Sequence, residues 1–336
     1  SFAAIAGEVT LTGSAKASYT IGGTDDAMDK GIGVSNELKV AASGELDNGF
    51  TWNYHLDLDP GAAGALTQDD AALTITMGDM GTIGFFDGEG SLHSNLAWGV
   101  GALGTGSDYA GTMTINYGND VDTEANIQYH TPADVLPFGL SAKIGYVPNV
   151  GDQAGGNDFK NTGAINPVVE GGNKLTQYRV DAAPLDGLSI GADYATESGG
   201  DTGTAQQEES GAYYAKYAFG NFKVGYGKSL YAPAMTNKDG FFTMYETDSY
   251  GIEFAVNDQL SISYSKEKSE GTKDNAIANG ASSDTKTKTE SDITSLQAAY
   301  VIGGATIGIA QTETSDADYV AGKEEKVTVL SIAMAF

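Results

Sequence analysis

The chain has 336 residues, 40% of them hydrophobic, and no window approaches the roughly 18 uncharged apolar residues that a spanning helix needs. With a mean hydropathy of −0.23, a helical membrane protein is excluded, and the absence of cysteine excludes disulfides, thiolate metal sites and cysteine nucleophiles. The formal net charge of −27 argues against nucleic acid or anionic lipid as a partner and indicates solubilised loops or a surface that attracts cations.

The first part of the chain alternates apolar and polar residues with a period of two. Successive side chains of a strand point to opposite faces, so this alternation predicts strands with one apolar and one polar face. A composition of 46 Gly and 18 Tyr against 7 Pro also favours strands and turns. Residues 1–7 lack a basic region, and we interpret them as a mature start without a signal peptide. The predicted strands are 8–21, 32–43, 50–59, 73–77 and 82–86, with a hairpin turn at Asp47-Asn48-Gly49.

Residues 87–122 interrupt this alternation. An insertion of that length without regular structure is usually functional or disordered. It contains one short strand-like piece at 112–117. We expect the insertion to be a long loop between two strands.

Beyond the insertion the pattern resumes as hairpins with alternating short and long connections. The long connections, 148–173, 197–210, 267–290 and 313–323, carry far more acidic residues than the short turns do. Short turns at one end and long polar loops at the other are typical of outer-membrane β-barrels. The predicted strands are 125–131, 140–147, 174–183, 188–196, 213–219, 222–231, 242–256, 260–266, 293–302, 305–312 and 326–336.

The last predicted strand ends on a bare aromatic residue. Leu330, Ile332, Met334 and Phe336 share one face, whereas the opposite face is small. A soluble edge strand of this kind would invite aggregation, whereas closure of a barrel in a membrane removes the edge. We therefore predict an all-β protein: residues 1–336 form a single transmembrane antiparallel barrel of about sixteen strands, with a water-filled lumen behind the polar face.

Several short motifs resemble one known family. They are Gly7-Glu-Val-Thr-Leu-Thr-Gly13, Gly78-Asp-Met-Gly-Thr-Ile-Gly84, Ile127-Gln-Tyr-His-Thr-Pro132, Phe138-Gly-Leu-Ser-Ala-Lys-Ile-Gly-Tyr146 and the terminal Phe336. The chain thus resembles the trimeric general-diffusion porins of Gram-negative bacteria, of the neisserial or proteobacterial type. The resemblance implies sixteen strands, a homotrimer in the outer membrane, and a third external loop, here 87–122, that folds into the lumen.

The resemblance also implies where the pore is narrowest. Acidic residues of the third loop face basic residues of the wall in this family. On this chain the acids are Asp87, Glu89 and Asp108, and the bases are Lys16 and Lys39. Arg179, the only arginine, shares the polar face with Gln177 and Asp181, but one arginine cannot form the cluster that the family usually has. Lys143, Lys216 and Lys223 also have the parity of the lumen face.

Two motifs that could indicate chemistry have simpler explanations. Gly99-Val-Gly101-Ala-Leu-Gly104 matches a dinucleotide-binding fingerprint, but no strand precedes it and no helix follows it, so we interpret it as loop. Ser91 and Ser94 flank His93 without the strand–turn context or paired acid of a hydrolase. We expect no enzymatic activity and no cofactor.

Two further hypotheses concern ions and subunits. The acid pairs Asp57/Asp59, Asp69/Asp70 and Asp316/Asp318 offer oxygen ligands for calcium, although no twelve-residue calcium loop is present. Small residues on the apolar face of the first strands allow another subunit to approach closely. These candidates for a trimer interface are Gly13, Ala15, Ala17 and Ala42.

Three functions remain open from the sequence. The favoured one is a passive outer-membrane pore for small hydrophilic solutes and ions that prefers cations, because acids outnumber bases. The alternatives are a channel specific for a sugar or phosphate, and a secreted all-β adhesin or surface protein. Saturable conductance would favour the specific channel, and solubility without detergent would favour the secreted protein.

Overall fold

The strands close into one barrel. The computed structural model describes residues 7–24, 27–60, 66–111, 115–132, 135–148, 150, 173–198, 206–235, 238, 240–275 and 285–336. The sixteen strands are β1 (Val9–Thr24), β2 (Ala27–Glu45), β3 (Thr51–Pro60), β4 (Leu66–Thr76), β5 (Thr82–Asp87), β6 (Asn126–His130), β7 (Ser141–Val147), β8 (Lys174–Leu185), β9 (Leu188–Ser198), β10 (Glu209–Phe219), β11 (Phe222–Ala232), β12 (Phe242–Ala255), β13 (Leu260–Asp274), β14 (Lys286–Ile302), β15 (Ala305–Ser315) and β16 (Glu325–Ala335).

Each strand pairs with the next one along the chain, and β1 pairs with β16 to close the sheet. Every pairing is antiparallel, and at the seam Ala17 lies opposite Ile332. The predicted all-β antiparallel barrel of sixteen strands is therefore confirmed. Within the described ranges, no helix is long and apolar enough to cross a membrane.

The two faces of the barrel differ in the way the alternation predicts. On one face, which we call the apolar face, Ile32 is 83% exposed and Val34 is 71% exposed. On the other, the polar face, Gln177 and Glu267 are fully buried. A water-soluble protein buries its apolar side chains because each Å² of apolar surface removed from water stabilises the folded state by about 25 cal/mol. This barrel shows the opposite arrangement.

Several strands are longer than the sequence pattern predicts. The predicted loop at 267–290 is wrong in part, because β13 continues to Asp274 and β14 begins at Lys286. Opposite charges pair across these extensions: Lys268 Nζ lies 2.9 Å from Glu290, and Lys288 Nζ lies 2.5 Å from Glu270. β14 has 17 residues, whereas a membrane-spanning strand needs about 9–11. The extra length therefore carries paired charges, which the apolar alternation cannot reveal.

The segment between β5 and β6 contains no strand among its described residues. The predicted strand-like piece at 112–117 is absent at 115–117, and residues 112–114 lie outside the described part. The glycine-rich motif from Gly99 to Gly104 lies in irregular backbone. We refer to residues 88–125 as the insertion segment.

Candidate functional site

The insertion segment binds to the polar face of the strands by donating its backbone N–H groups to their side chains. Irregular backbone needs such partners, because an unpaired N–H group away from water is costly. Five of these hydrogen bonds, each written from donor to acceptor, are Ser94 N to Asp193 Oδ1 at 2.7 Å, Ala102 N to Ser263 Oγ at 2.7 Å, Leu103 N to Gln297 Oε1 at 2.9 Å, Ser107 N to Glu267 Oε1 at 2.9 Å, and Val121 N to Gln177 Oε1 at 3.0 Å.

Trp98 is the largest fully buried side chain of the segment. It lies against three glycines on the polar face of β11 and β12. A Cβ on Gly227 would come within 2.4 Å of Trp98 Cδ1, and one on Gly225 would lie 1.9 Å from the Trp98 carbonyl oxygen. A Cβ on Gly251 would approach the Trp98 ring to 3.1 Å. The three glycines therefore form the space that Trp98 fills, with Gly227 and Gly251 against the indole and Gly225 against the backbone carbonyl.

Glu267 on β13 holds the middle of the segment. Its carboxylate accepts hydrogen bonds from the backbone and hydroxyl of Ser107, at 2.9 and 2.8 Å. The Tyr117 hydroxyl donates to the other carboxylate oxygen. Burial raises the pKa of Tyr117, and the Glu267 charge raises it further. This tyrosine is therefore a neutral donor at physiological pH.

Asp193 and Asp120 fix the turn around His93. Asp120 accepts from the backbone of Leu92 and His93, each at 3.0 Å. Asp193 lies 3.2 Å from His93 Nδ1 and accepts from the Ser94 hydroxyl at 2.5 Å. Burial opposes the charged imidazole, but the hydrogen bond and charge of Asp193 prevail and raise the pKa of His93.

The three predicted wall bases lie on the polar face, each with a different partner. Lys16 Nζ lies 5.1 Å from the centre of the Tyr109 ring, in the segment. Lys39 Nζ lies 2.9 Å from Asp57 Oδ2 on the neighbouring strand. Arg179 donates to both oxygens of Asp181, at 2.7 and 3.0 Å, and to the backbone oxygen of His93 at 2.8 Å.

The three predicted loop acids are not brought together. Asp87 pairs with Ala71 in the sheet and shares the apolar face with Phe85. Glu89 contacts His55 on β3. Asp108 is exposed and accepts from the Thr105 backbone and hydroxyl, at 2.6 and 2.9 Å. Within the described ranges, none of these acids forms an ion pair with a predicted wall base, so their role in a filter stays a prediction.

The sequence reasoning missed the residues that hold the segment. Gln177, Asp193, Glu267 and Gln297 occupy polar-face positions inside predicted strands or their extensions, and two of them are acids. The glycines at 225 and 227 alternate with apolar-face residues in the same way. Hydrogen-bond acceptors and glycines at polar-face positions of the strands are the signal that could have indicated a segment packed against that face.

Two of the three remaining predicted polar-face bases have local partners. Lys223 Nζ lies 3.2 Å from Glu253, and Lys216 Nζ lies 5.8 Å from the centre of the Tyr214 ring. Lys143 lies opposite Arg179 across β7 and β8.

Two of the acid pairs considered for calcium already have partners. Asp316 accepts from the Gly322 backbone at 2.6 Å, and Asp318 lies 2.5 Å from Lys323 Nζ. In the first pair, Asp57 binds Lys39. Calcium binding at these pairs stays a prediction.

Comparison with known proteins identifies the fold. No protein-family model matches the chain, and no curated protein matches it. Salmonella typhi OmpF, in complex with daunomycin, is similar with a TM-score of 0.67 and 14% identity over 98% of each chain. An anion-selective porin from Comamonas acidovorans has a TM-score of 0.66 and 15% identity, over 98% of this chain and 99% of that one. OmpT of Vibrio cholerae, an outer-membrane protein in trimer form, has a TM-score of 0.64 and 14% identity, over 98% and 100%. At these identities the likeness shows that the chain has the fold of the sixteen-stranded porins.

Proposed function

We propose that the protein forms a water-filled pore in a Gram-negative outer membrane, through which small hydrophilic solutes and ions diffuse passively. The observation that carries this proposal is the closed barrel with a polar face opposite an exposed apolar one. A closed barrel satisfies every strand hydrogen bond internally, so its apolar face is stable in hydrocarbon and its polar face in water. The likeness to outer-membrane porins supports the same membrane.

We further propose that the insertion segment lies inside the barrel and narrows the pore. The contacts between the segment and the polar face support this proposal. They run from β8 through β16 to β1, and they include those of Val121 with Gln177 and of Tyr109 with Lys16. A segment that touches opposite sides of a closed sheet on one face has to cross the interior. The passage would then be the part of the lumen that the segment leaves open.

The charges near that passage favour cations. Asp108 is exposed, and no lysine or arginine of the described ranges pairs with it. The bases Lys39, Arg179 and Lys223 are each matched by a carboxylate at 3.2 Å or less. Unmatched carboxylates beside an aqueous path raise the local concentration of cations. The fold does not decide this property, since the similar Comamonas porin is anion-selective.

A general pore fits the segment better than a sugar-specific channel does. A sugar channel would present exposed aromatic rings along the path, but Trp98 is 0% exposed in its glycine cradle. We propose that three copies assemble, with small apolar-face residues such as Ala15 and Ala17 at the contact. The trimeric form of the similar Vibrio cholerae protein supports this number.

Planar-bilayer recording of the purified protein under a salt gradient tests the function. Stepwise ohmic conductance with a reversal potential of cation-selective sign is expected. Conductance that saturates with a sugar or phosphate would favour the specific channel, and absence of conductance would refute the pore. Extraction of the protein in buffer without detergent tests the alternative of a secreted adhesin, because such a protein would dissolve whereas the barrel would not.

A further inference from the structure

Three side chains that commonly bind metals meet on the polar face where the insertion segment begins. They are His55 and Asp57 on β3 and Glu89 in the segment, and one ligand atom from each lies within 4.8 Å of the other two. His55 and Asp57 are two residues apart on one strand, so both project from the same face. Glu89 reaches them because β5 ends at Asp87 and the chain then turns across the polar face.

One carboxylate oxygen of this cluster is buried without a partner. Asp57 is 6% exposed, and its Oδ2 accepts from Lys39 Nζ at 2.9 Å. Its Oδ1 is inaccessible to solvent and, among the described residues, has no hydrogen-bond partner. A buried polar atom normally has a partner, and leaving a carboxylate oxygen unsatisfied costs free energy. A bound cation would satisfy this oxygen.

The donor set decides which cation fits. Calcium takes six to eight oxygen ligands in proteins, and here one of the three donors is an imidazole nitrogen. One histidine nitrogen with two carboxylate oxygens suits zinc and related divalent transition ions, with water as a fourth ligand. The carboxylates bring two negative charges, and the neighbouring Lys39 offsets one of them.

We propose that His55, Asp57 and Glu89 bind a divalent transition metal ion of the zinc class. The ion fastens the start of the insertion segment to the wall, because its ligands come from both. If the barrel conducts ions as proposed above, the bound metal also adds positive charge beside the passage. That consequence rests on the proposed function, whereas metal binding itself does not.

Titration calorimetry with zinc chloride on the metal-stripped protein in detergent tests the binding. We expect one zinc ion per chain, with affinity lowered about 100-fold or more in His55→Gln, Asp57→Asn and Glu89→Gln. The matched control is His130→Gln, since His130 lies on the polar face of β6 and binds Gln128 instead. Glu89→Gln lies outside the strands, so it tests the site even if a strand variant folds poorly.

Cobalt supplies a second readout, because a visible absorption band of the bound ion reports nitrogen and oxygen ligands and should disappear in His55→Gln. The proposal is overturned if zinc binding is not saturable, if His55→Gln binds zinc as tightly as His130→Gln does, or if calcium binds more tightly than zinc. A separate arm measures conductance in bilayers. Zinc should lower cation conductance in the wild type and not in His55→Gln, and a protein that binds zinc but conducts nothing would refute the pore alone.

Discussion

Phe336 lies directly on Gly13 at the seam of the barrel. The Phe336 N–H donates to the Gly13 oxygen at 2.9 Å, and the Gly13 N–H donates to the Phe336 oxygen at 2.8 Å. A Cβ on Gly13 would lie 2.8 Å from the ring of Phe336 and 2.8 Å from the backbone oxygen of Glu37. The glycine therefore lets the last residue of the chain complete the pairing of β1 with β16.

Gly13→Val should weaken this closure. The added side chain meets the terminal ring and the backbone of β2, and overpacking of this kind costs about 1–3 kcal/mol. The temperature at which the folded barrel loses its faster migration in detergent gels should fall. Gly31→Val is the control, because nothing lies within 4 Å of a Cβ there. Equal unfolding temperatures for the two variants would contradict the proposed role of Gly13.

Trp98→Ala should loosen the insertion segment without opening the barrel. Removing a fully buried indole leaves a cavity and costs about 3–5 kcal/mol. Here that loss weakens the packing of the segment against the polar face. Hydrogen exchange should accelerate at the Ala102 and Leu103 amides, and single-channel current should become noisier.

Two further variants make that experiment specific. Gly227→Ala, whose Cβ would lie 2.4 Å from Trp98 Cδ1, should produce the same effect from the wall side. Leu96→Ala is the control within the segment, since Leu96 is already 36% exposed. If the exchange rates rise equally in the Leu96 variant, Trp98 does not specifically anchor the segment to the polar face.

Asp108→Asn should lower the preference for cations. The amide keeps an acceptor for Thr105 but removes an exposed charge beside the proposed passage. The reversal potential in a salt gradient should move toward zero. Asp79→Asn, in the turn after β4, removes an equal charge at the other end of β5 from the segment and should leave the potential unchanged. A shift of the same size in both variants would point to overall charge rather than to this site.

The barrel should be more stable in mild acid than in mild alkali. Burial, together with the charge of Glu197, raises the pKa of Glu208 from its usual 4.5 to about 7. The folded protein therefore keeps a proton that the unfolded chain loses, so stability decreases as pH rises from about 4.5 through about 7. Glu208→Gln should flatten this dependence and, at pH 8, add on the order of 1–3 kcal/mol.

Thermal unfolding at pH 5 and pH 8 measures this effect. Glu209→Gln, at the exposed position next to it, is the control and should retain the wild-type dependence. Asp122 adds to the same trend, because burial and the charge of Asp120 raise its pKa to about 6. A wild type that is equally stable at both pH values would refute the prediction.

Much of the barrel could be predicted because each strand reports on its own environment. The alternation of Val9 and Leu11 with Thr10 and Thr12 depends on residues next to one another, and so does the turn Asp47-Asn48-Gly49. The ends of the strands were harder to predict, since the continuation of β13 through Lys268 depends on Glu290 in another strand. The candidate site was harder still. Glu89 was predicted to face lysines, but it contacts His55, 34 positions away in sequence.

The sequence alone determined the fold class and indicated about sixteen strands, because a period of two and the lengths of the connections are local properties. The closed sheet of the structure fixed the count at sixteen. It also determined which lysines and which arginine share the polar face. Only the tertiary structure decided that Trp98 fills a cradle of three glycines, that Glu267 holds Ser107, and that His55, Asp57 and Glu89 meet. The physical reason is that irregular backbone has no period, so its partners depend on how the closed sheet brings distant strands together.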